Sequence, residues 1–433
     1  MSQFRLARLS LLLAAIGLNL APALLGASLA QAADKPAAEA PKADTVRMEM
    51  FKLIDPTAVK GFMDAKNYAE VLNRINQADA LPDKTAYESF VLNRLRIALA
   101  SVTGDSAMAI KSLEAVIASS KLPAADRGDF IQALANYHYN AKDYAQAIVW
   151  FTRYQKETGD QTRVRPYIIR SYYFSNDLAK AKEELLVDLH ANQKAGKQPA
   201  IEELQLLANT GAKTKDKATY LLALEQLVKF YPSDDYWTDL LNRTQGKEGY
   251  STRFQLDVFR LEFAAVKAMA PEEYTEMAEL ALLAGLPTEA KKVMDAGFAA
   301  GVLGTGANGP KHKKVREQAA KGAADDVKNI AAGEASAAKA KDGTGLVNLG
   351  YAYVTMEQFD KGLDLIQKGI AKGGLKRPED AKLRLGYSYA MAGRKDDAVA
   401  TLSTVQGNDG LGDLARYWLL WLNRPLTVAT AAK

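Results

Sequence analysis

Residues 134–151 read LANYHYNAKDYAQAIVWF, and residues 168–185 read IIRSYYFSNDLAKAKEEL. Both lie in a stretch, residues 128–191, that holds one unit twice. Leu134 and Ala135 are followed by Tyr144-Ala145-Gln146-Ala147 and Phe151; Ile168 and Ile169 are followed by Leu178-Ala179-Lys180-Ala181 and Leu185. Ala147 and Ala181 are 34 residues apart, as are Phe151 and Leu185. Self-similarity at that period, built from two amphipathic helices, marks a helical solenoid. Two helices cross closely only where a small side chain such as Ala147 sits at the contact and larger neighbours fill the space beside it.

The pattern extends in both directions. Residues 48–121 carry two looser units, whose second helices open at Asn67-Tyr68-Ala69-Glu70-Val71 and at Ser106-Ala107-Met108-Ala109, and residues 201–232 hold another. Residues 235–270 are degenerate, with Trp237, Leu240 and Leu241 marking one helix and Phe254, Val258, Leu261 and Phe263 a second. Residues 311–341 are Ala-rich, with a narrow stripe of Val315, Ala319, Ala323, Val327 and Ile330. The unit returns at Leu349-Gly350, Tyr353 and Phe359-Asp360-Lys361-Gly362, and again at Leu385-Gly386, Tyr389 and Lys395-Asp396-Asp397-Ala398. Gly362 stands where alanine is usual, and is expected to weaken its helix by about 1 kcal/mol. Trp418 and Trp421 place a capping helix at residues 411–422. Strong strand signals are missing, so the expected fold class is all-α.

Composition narrows the function. Of 433 residues, 48% are hydrophobic and 25% charged, which is ordinary for a soluble folded protein. The formal charge is +5, and +3 once Arg5 and Arg8 are set aside with the leader, too little over this length for a nucleic-acid partner. With no cysteine, disulfides, thiolate catalysis and Cys-ligated zinc are excluded. Residues 1–32 have the anatomy of a secretory signal peptide. Arg5 and Arg8 precede an apolar run at residues 9–25, and Ala30-Gln31-Ala32 forms a cleavage site. Cleavage leaves no integral membrane span, and the expected compartment is the periplasm of a Gram-negative bacterium. The expected order is then the signal peptide (1–32), a disordered Ala/Pro/Lys-rich tether (33–47), N-terminal repeats (48–235), degenerate repeats (236–341), C-terminal repeats with the capping helix (342–422) and a tail (423–433).

No constellation for chemistry emerges. Gly304-Thr305-Gly306-Ala307-Asn308-Gly309 satisfies G-x-G-x-x-G. A dinucleotide site needs a strand before that motif, whereas residues 289–300 read as helix, so an inter-repeat loop is expected. His138, His190 and His312 lack a partner at metal spacing. Gly386-Tyr387-Ser388-Tyr389-Ala390 is short of a nucleophile elbow and falls inside a helix. Trp237, Trp418 and Trp421 sit on helical stripes and read as core. No catalytic, cofactor or metal residues are assigned, and an enzyme is not expected.

The small residues of the first helix, the apolar-x-x-Ala opening of the second and the large apolar residue four later resemble the tetratricopeptide repeat (TPR) family over about residues 48–422. The resemblance implies a right-handed superhelical solenoid of antiparallel helix pairs, with first helices lining a concave groove. The groove residues it implies are Gln132, Asn136, Tyr139, Arg163, Arg170 and Tyr173, then Val347, Tyr351, Leu383 and Tyr387. The period sets Asn136 beside Arg170 and Tyr139 beside Tyr173. Amide, Arg and aromatic side chains suit recognition of an extended segment or a helix. The alternative is that several of these tyrosines only pack between neighbouring units. The segment Lys229-Phe230-Tyr231-Pro232-Ser233-Asp234-Asp235-Tyr236-Trp237, with Ala284-Gly285-Leu286-Pro287, also resembles periplasmic repeat proteins that accompany TonB-type systems. The expected function is therefore a non-catalytic exported adaptor that binds envelope proteins. The alternative is a repeat scaffold or regulator in a cell-wall or exopolysaccharide enzyme system, contacting glycan.

Overall fold

The computed structural model describes residues 44–424. The expected signal peptide, the tether up to residue 43 and the tail from residue 425 lie outside the described residues. Helices joined by turns and short loops make up the described chain, with no strand among the described residues. The described residues divide into two units, the first ending at Glu184 and the second beginning at Leu185. The sequence reading separates three blocks of repeats at residues 235 and 341, whereas the stretches after 235 share one unit.

Unit 1 comprises α1 (Met48–Ile54), α2 (Pro56–Asp64), α3 (Tyr68–Asp79), α4 (Ala86–Thr103), α5 (Ser106–Ala118), α6 (Ala124–Asn140), α7 (Tyr144–Thr158) and α8 (Arg165–Phe174); the boundary falls inside α9 (Leu178–Lys194). Unit 2 continues with α10 (Ile201–Lys213), α11 (Lys217–Phe230), α12 (Asp234–Gln245), α13 (Gln255–Ala265), α14 (Pro271–Leu283), α15 (Pro287–Ala299), α16 (Gly309–Asn329) and α17 (Gly333–Lys339). It ends with α18 (Thr344–Thr355), α19 (Phe359–Lys372), α20 (Pro378–Met391), α21 (Lys395–Leu402) and α22 (Leu411–Leu422).

One turn recurs between the paired helices. Lys66, Lys142, Asn176, Lys215, Gly285, Glu357 and Gly393 all adopt positive φ, two residues before the second helix of their pair. The next N–H then closes a six-residue loop: Asn67 to the Phe62 carbonyl at 2.8 Å, Asp143 to His138 and Asp177 to Tyr172 at 2.9 Å, Gln358 to Tyr353 at 3.0 Å. This is the Schellman arrangement, which satisfies carbonyls left open at the end of the first helix. In four of the turns the same residue, Asn67, Asp143, Asp177 or Asp216, caps the second helix through its side chain. The turn is thus a C-cap and an N-cap in three residues, and it forces each pair into an antiparallel hairpin. The α14–α15 pair, inside the 236–341 block of expected degenerate repeats, makes it too. The α12–α13 connection does not; residues 246–254 cross instead as a loop ending in a 3-10 turn, Thr252–Phe254.

Small residues set the helix contacts. Ala147 and Ala181 are wholly buried. Gly350 and Gly362 bring α18 and α19 into backbone contact, for a Cβ on either would stand 2.6 Å from the other's carbonyl oxygen. Gly362 is therefore a requirement of this crossing, which corrects its reading as a simple helix-weakening departure from alanine. The apolar stripe of α16 is shorter than expected: Val315, Ala319 and Ala323 are buried, but Val327 is 71% exposed because the helix ends just beyond it. Trp237 and Trp418 are core residues. The last helix, α22, does more than cover the end of the chain. It packs on α11, α13 and α20 as well as α21. Arg416 pairs with Glu225 at 2.8 Å, Tyr417 Oη meets Thr244 Oγ1 at 2.8 Å, and Trp421 Nε1 donates to the Ala264 carbonyl at 2.8 Å.

Candidate partner-binding surface

In unit 1, Gln132, Asn136 and Tyr139 project from α6, and Arg170 and Tyr173 from α8. Asn136 and Arg170 each stand eight residues before the second helix of their pair, so the shared turn gives them equivalent positions on adjacent first helices. Gln132 is buried to 9% exposure, while Asn136 and Arg170 are half-buried. None of the three makes a side-chain hydrogen bond or an ion pair with another described residue. A half-buried amide or guanidinium without a protein partner keeps hydrogen-bonding capacity for a ligand or water.

The other three expected residues are placed differently. Arg163 precedes α8 and lies in its leading loop, exposed, 3.4 Å from Tyr154 Oη and 3.9 Å from Asp129. Tyr139 packs between repeats. Its ring meets Tyr144 at 5.6 Å and Phe151 at 6.4 Å on α7, and Tyr167 at 5.5 Å on the next first helix, all edge to face. Burial raises its hydroxyl pKa, with the nearby Arg170 charge opposing. Tyr173 lies edge-on to Phe174 at 5.5 Å, and Phe174 stacks on Tyr144 at 5.5 Å. Phe174 is 51% exposed, so this aromatic cluster reaches the surface. Repeat periodicity passed over Phe174 and Tyr144; the run Ser171-Tyr172-Tyr173-Phe174 is the signal that would have found them.

In unit 2 the four expected groove residues are interior. Val347, Tyr351, Leu383 and Tyr387 are at most 4% exposed, which removes them from any surface a partner could reach. At the two tyrosines the closing group is Arg260, on the helix the sequence marks as degenerate. Its guanidinium makes a two-pronged pair with Glu289, both distances 2.8 Å, and donates to Asp257 Oδ1 at 2.7 Å and to Tyr387 Oη at 3.1 Å. It lies 4.7 Å from the centroid of Tyr351 and 5.6 Å from that of Tyr387. Tyr351 donates to Glu289 at 2.9 Å and Tyr387 to Asp257 at 3.2 Å. Trp418 of α22 stacks on the far face of the network at 5.6 Å from Tyr387. Burial alone would lower the Arg260 pKa, but the Glu289 charge and hydrogen bond, together with Tyr351 and Tyr387, outweigh it and hold the guanidinium above its ordinary value. Through Arg260, α13 thus covers the two tyrosine positions of the C-terminal repeats from within the same unit.

The histidines and the glycine motif have structural places. His138 Nδ1 is 3.1 Å from Asp143, and His312 Nδ1 accepts from the Gly304 N–H at 3.2 Å. The glycine-rich stretch is thereby a tied turn between α15 and α16, with Gly304 and Gly306 at positive φ. No group of His, Asp and Glu among the described residues could hold a metal ion. No described helix is long and apolar enough to cross a membrane.

No family model matches the sequence, and no curated protein matches it. Among solved structures the chain is similar to the yeast Tom70, at 12% identity over 86% of this chain and 95% of that one, with a TM-score of 0.23. It is also similar to the TPR domain of P58(IPK), at 13% identity over 86% and 98%, with a TM-score of 0.20. Scores of that size carry no argument about function. The all-α helical repeat fold stands on the recurrent turn, the caps and the close helix contacts.

Proposed function

We propose that this chain is a non-catalytic exported adaptor that holds a protein partner on the first-helix face of unit 1. One contrast supports the reading. Tyr351 and Tyr387 occupy the same repeat position as Asn136 and Arg170, and Val347 and Leu383 the same position as Gln132. In unit 2 all four are buried, Tyr351 and Tyr387 against Arg260 of α13 and Tyr387 also against Trp418 of α22; in unit 1 Gln132, Asn136 and Arg170 are polar groups with no side-chain partner among the described residues. A cation and two amides beside an exposed aromatic edge fit a segment that offers carboxylates, backbone carbonyls and an apolar anchor. The non-catalytic part rests on the sequence, which supplies no nucleophile or acid–base pair.

Export rests on the leader, and N-terminal sequencing of the mature protein should find Ala33 or a close neighbour. The partner test is capture from envelope extract by the full mature chain and by its Asn136→Ala, Arg170→Ala variant. Loss of one specific band with an unchanged melting temperature is expected; capture that persists in the variant would overturn the site. Recovery of a TonB-type energy transducer would support the link suggested by residues 229–237. Recovery of a polysaccharide synthase or a peptidoglycan hydrolase would favour the enzyme-system scaffold.

A further inference from the structure

A cleft of about 630 Å³ opens in unit 2 between the α10–α11 turn and the C-terminal end of α12. Ligand pockets run from about 300 to 1,000 Å³. Its floor follows from one residue. Six positions before the second helix, other repeats carry a ring: His138, Tyr172, Tyr353 and Tyr389. The α10–α11 repeat carries Gly211, where a Cβ would stand 2.8 Å from the Tyr220 backbone nitrogen. The two helices therefore meet backbone to backbone, and Tyr220 lies in the cleft lining beside the turn.

The lining is cationic. Lys215, Lys217, Arg243 and Lys247 face one lining carboxylate, Asp216. Asp216 is committed to the helix cap, one oxygen accepting from the Thr219 N–H and the other from its hydroxyl. Behind the lining, Asp239 holds Arg243 at 3.1 Å and Asp413 holds Lys247 at 2.8 Å. The same Asp239 accepts from Tyr220 Oη at 2.6 Å, and Arg243 lies 4.9 Å over the Tyr220 ring, so ring and guanidinium are positioned together. Lys215 and Lys217 are exposed and have no carboxylate partner among the described residues. A concave site lined mainly by one sign of charge concentrates ligands of the opposite sign.

We infer that this cleft binds a phosphate group, carried by a small soluble molecule or by a lipid headgroup. A phosphate monoester brings about −1.5 to −2 charges and three acceptor oxygens, which match the two unpaired ammonium groups, with the Arg243 guanidinium and the Asn242 amide as further donors. This site belongs to unit 2, and its ligand is of a different class from the unit 1 partner.

The test uses the full mature chain with inorganic phosphate as probe, and with vesicles of phosphatidylglycerol against phosphatidylcholine. A ligand that binds only the folded state raises the unfolding midpoint. Phosphate should raise it by several degrees over chloride at equal ionic strength. The variant Lys215→Glu, Lys217→Glu should lose that rise, while Lys111→Glu, Lys156→Glu, with the same charge change in unit 1, should keep it. Sedimentation with phosphatidylglycerol vesicles that the first variant abolishes would assign a headgroup; a phosphate response without it would assign a soluble ligand. A midpoint no higher in phosphate than in chloride, or equal loss in both variants, would overturn the inference.

Discussion

At the scale of single residues, Arg260 and Tyr139 invert the roles that repeat position alone assigns. Arg260 is 6% exposed and pairs with the buried Glu289 and the half-buried Asp257. Breaking a buried pair by removing one partner costs about 3–5 kcal/mol. Arg260→Met should therefore cost that much in urea unfolding, and Glu289→Gln should cost less because its amide still accepts from Tyr351. Tyr139 is a packing residue, so Tyr139→Ala should lower stability by about 2 kcal/mol, below the cost of a fully buried ring. Asn136→Ala and Arg170→Ala should stay within about 0.5 kcal/mol of the parent, as surface changes do. A large loss for Arg170→Ala would show a structural partner and remove it from the candidate site.

At the scale of the element, the three-residue turn and the glycine contacts decide how helices pair. Gly362→Ala gains about 1 kcal/mol of helix propensity, yet its Cβ would meet the Gly350 carbonyl oxygen at 2.6 Å and Val354 Cγ2 at 2.7 Å. Overpacking of this kind costs about 1–3 kcal/mol, so the variant should melt lower than the parent. Gly61, inside α2 with nothing within 4 Å of its Cβ position, is the counterpart. Gly61→Ala should raise stability by up to about 1 kcal/mol. Thermal unfolding of the two variants should move in opposite directions. The turn itself was legible as Lys142-Asp143 and Asn176-Asp177, a residue able to take positive φ followed by a capping carboxylate. Its presence at Gly285-Leu286 gives the α14–α15 pair the same hairpin inside the block expected to be degenerate.

At the scale of the whole molecule, the two units carry opposite pH responses. In unit 1 the Arg47 guanidinium, hydrogen-bonded to Glu88, holds that carboxyl down to about 2 from an ordinary 4.5. Its stabilising contribution is complete above about pH 4.5 and is lost as pH falls towards 2. In unit 2 burial, helped by the Glu273 charge, pushes Glu262 up to about 7 from 4.5. Between those values the folded state binds the extra proton, so stability on this account is greatest below pH 4.5 and falls as pH rises through 7. Urea midpoints of the parent should therefore decline between pH 5 and 7.5, and Glu262→Gln should flatten that decline while leaving the acid limb unchanged. An undiminished decline in the variant would assign it to another group.

The all-α class, the hairpin repeat and the small residues at helix contacts were written in the sequence, because each depends on residues within one or two turns of helix or one period apart. Ala147 and Ala181 carry that information in their spacing alone. Which first-helix positions remain open was decided only by tertiary structure. Arg260 reaches Glu289 across 29 residues and Tyr387 across 127, separations with no period to mark them, and the helix that bears it matches the repeat poorly because its side chains answer to the C-terminal repeats as well as to its neighbours. Equivalent repeat positions, Tyr387 on one side and Arg170 on the other, therefore part company: one is packed beneath Trp418, and the other is half-buried with no partner for its guanidinium among the described residues.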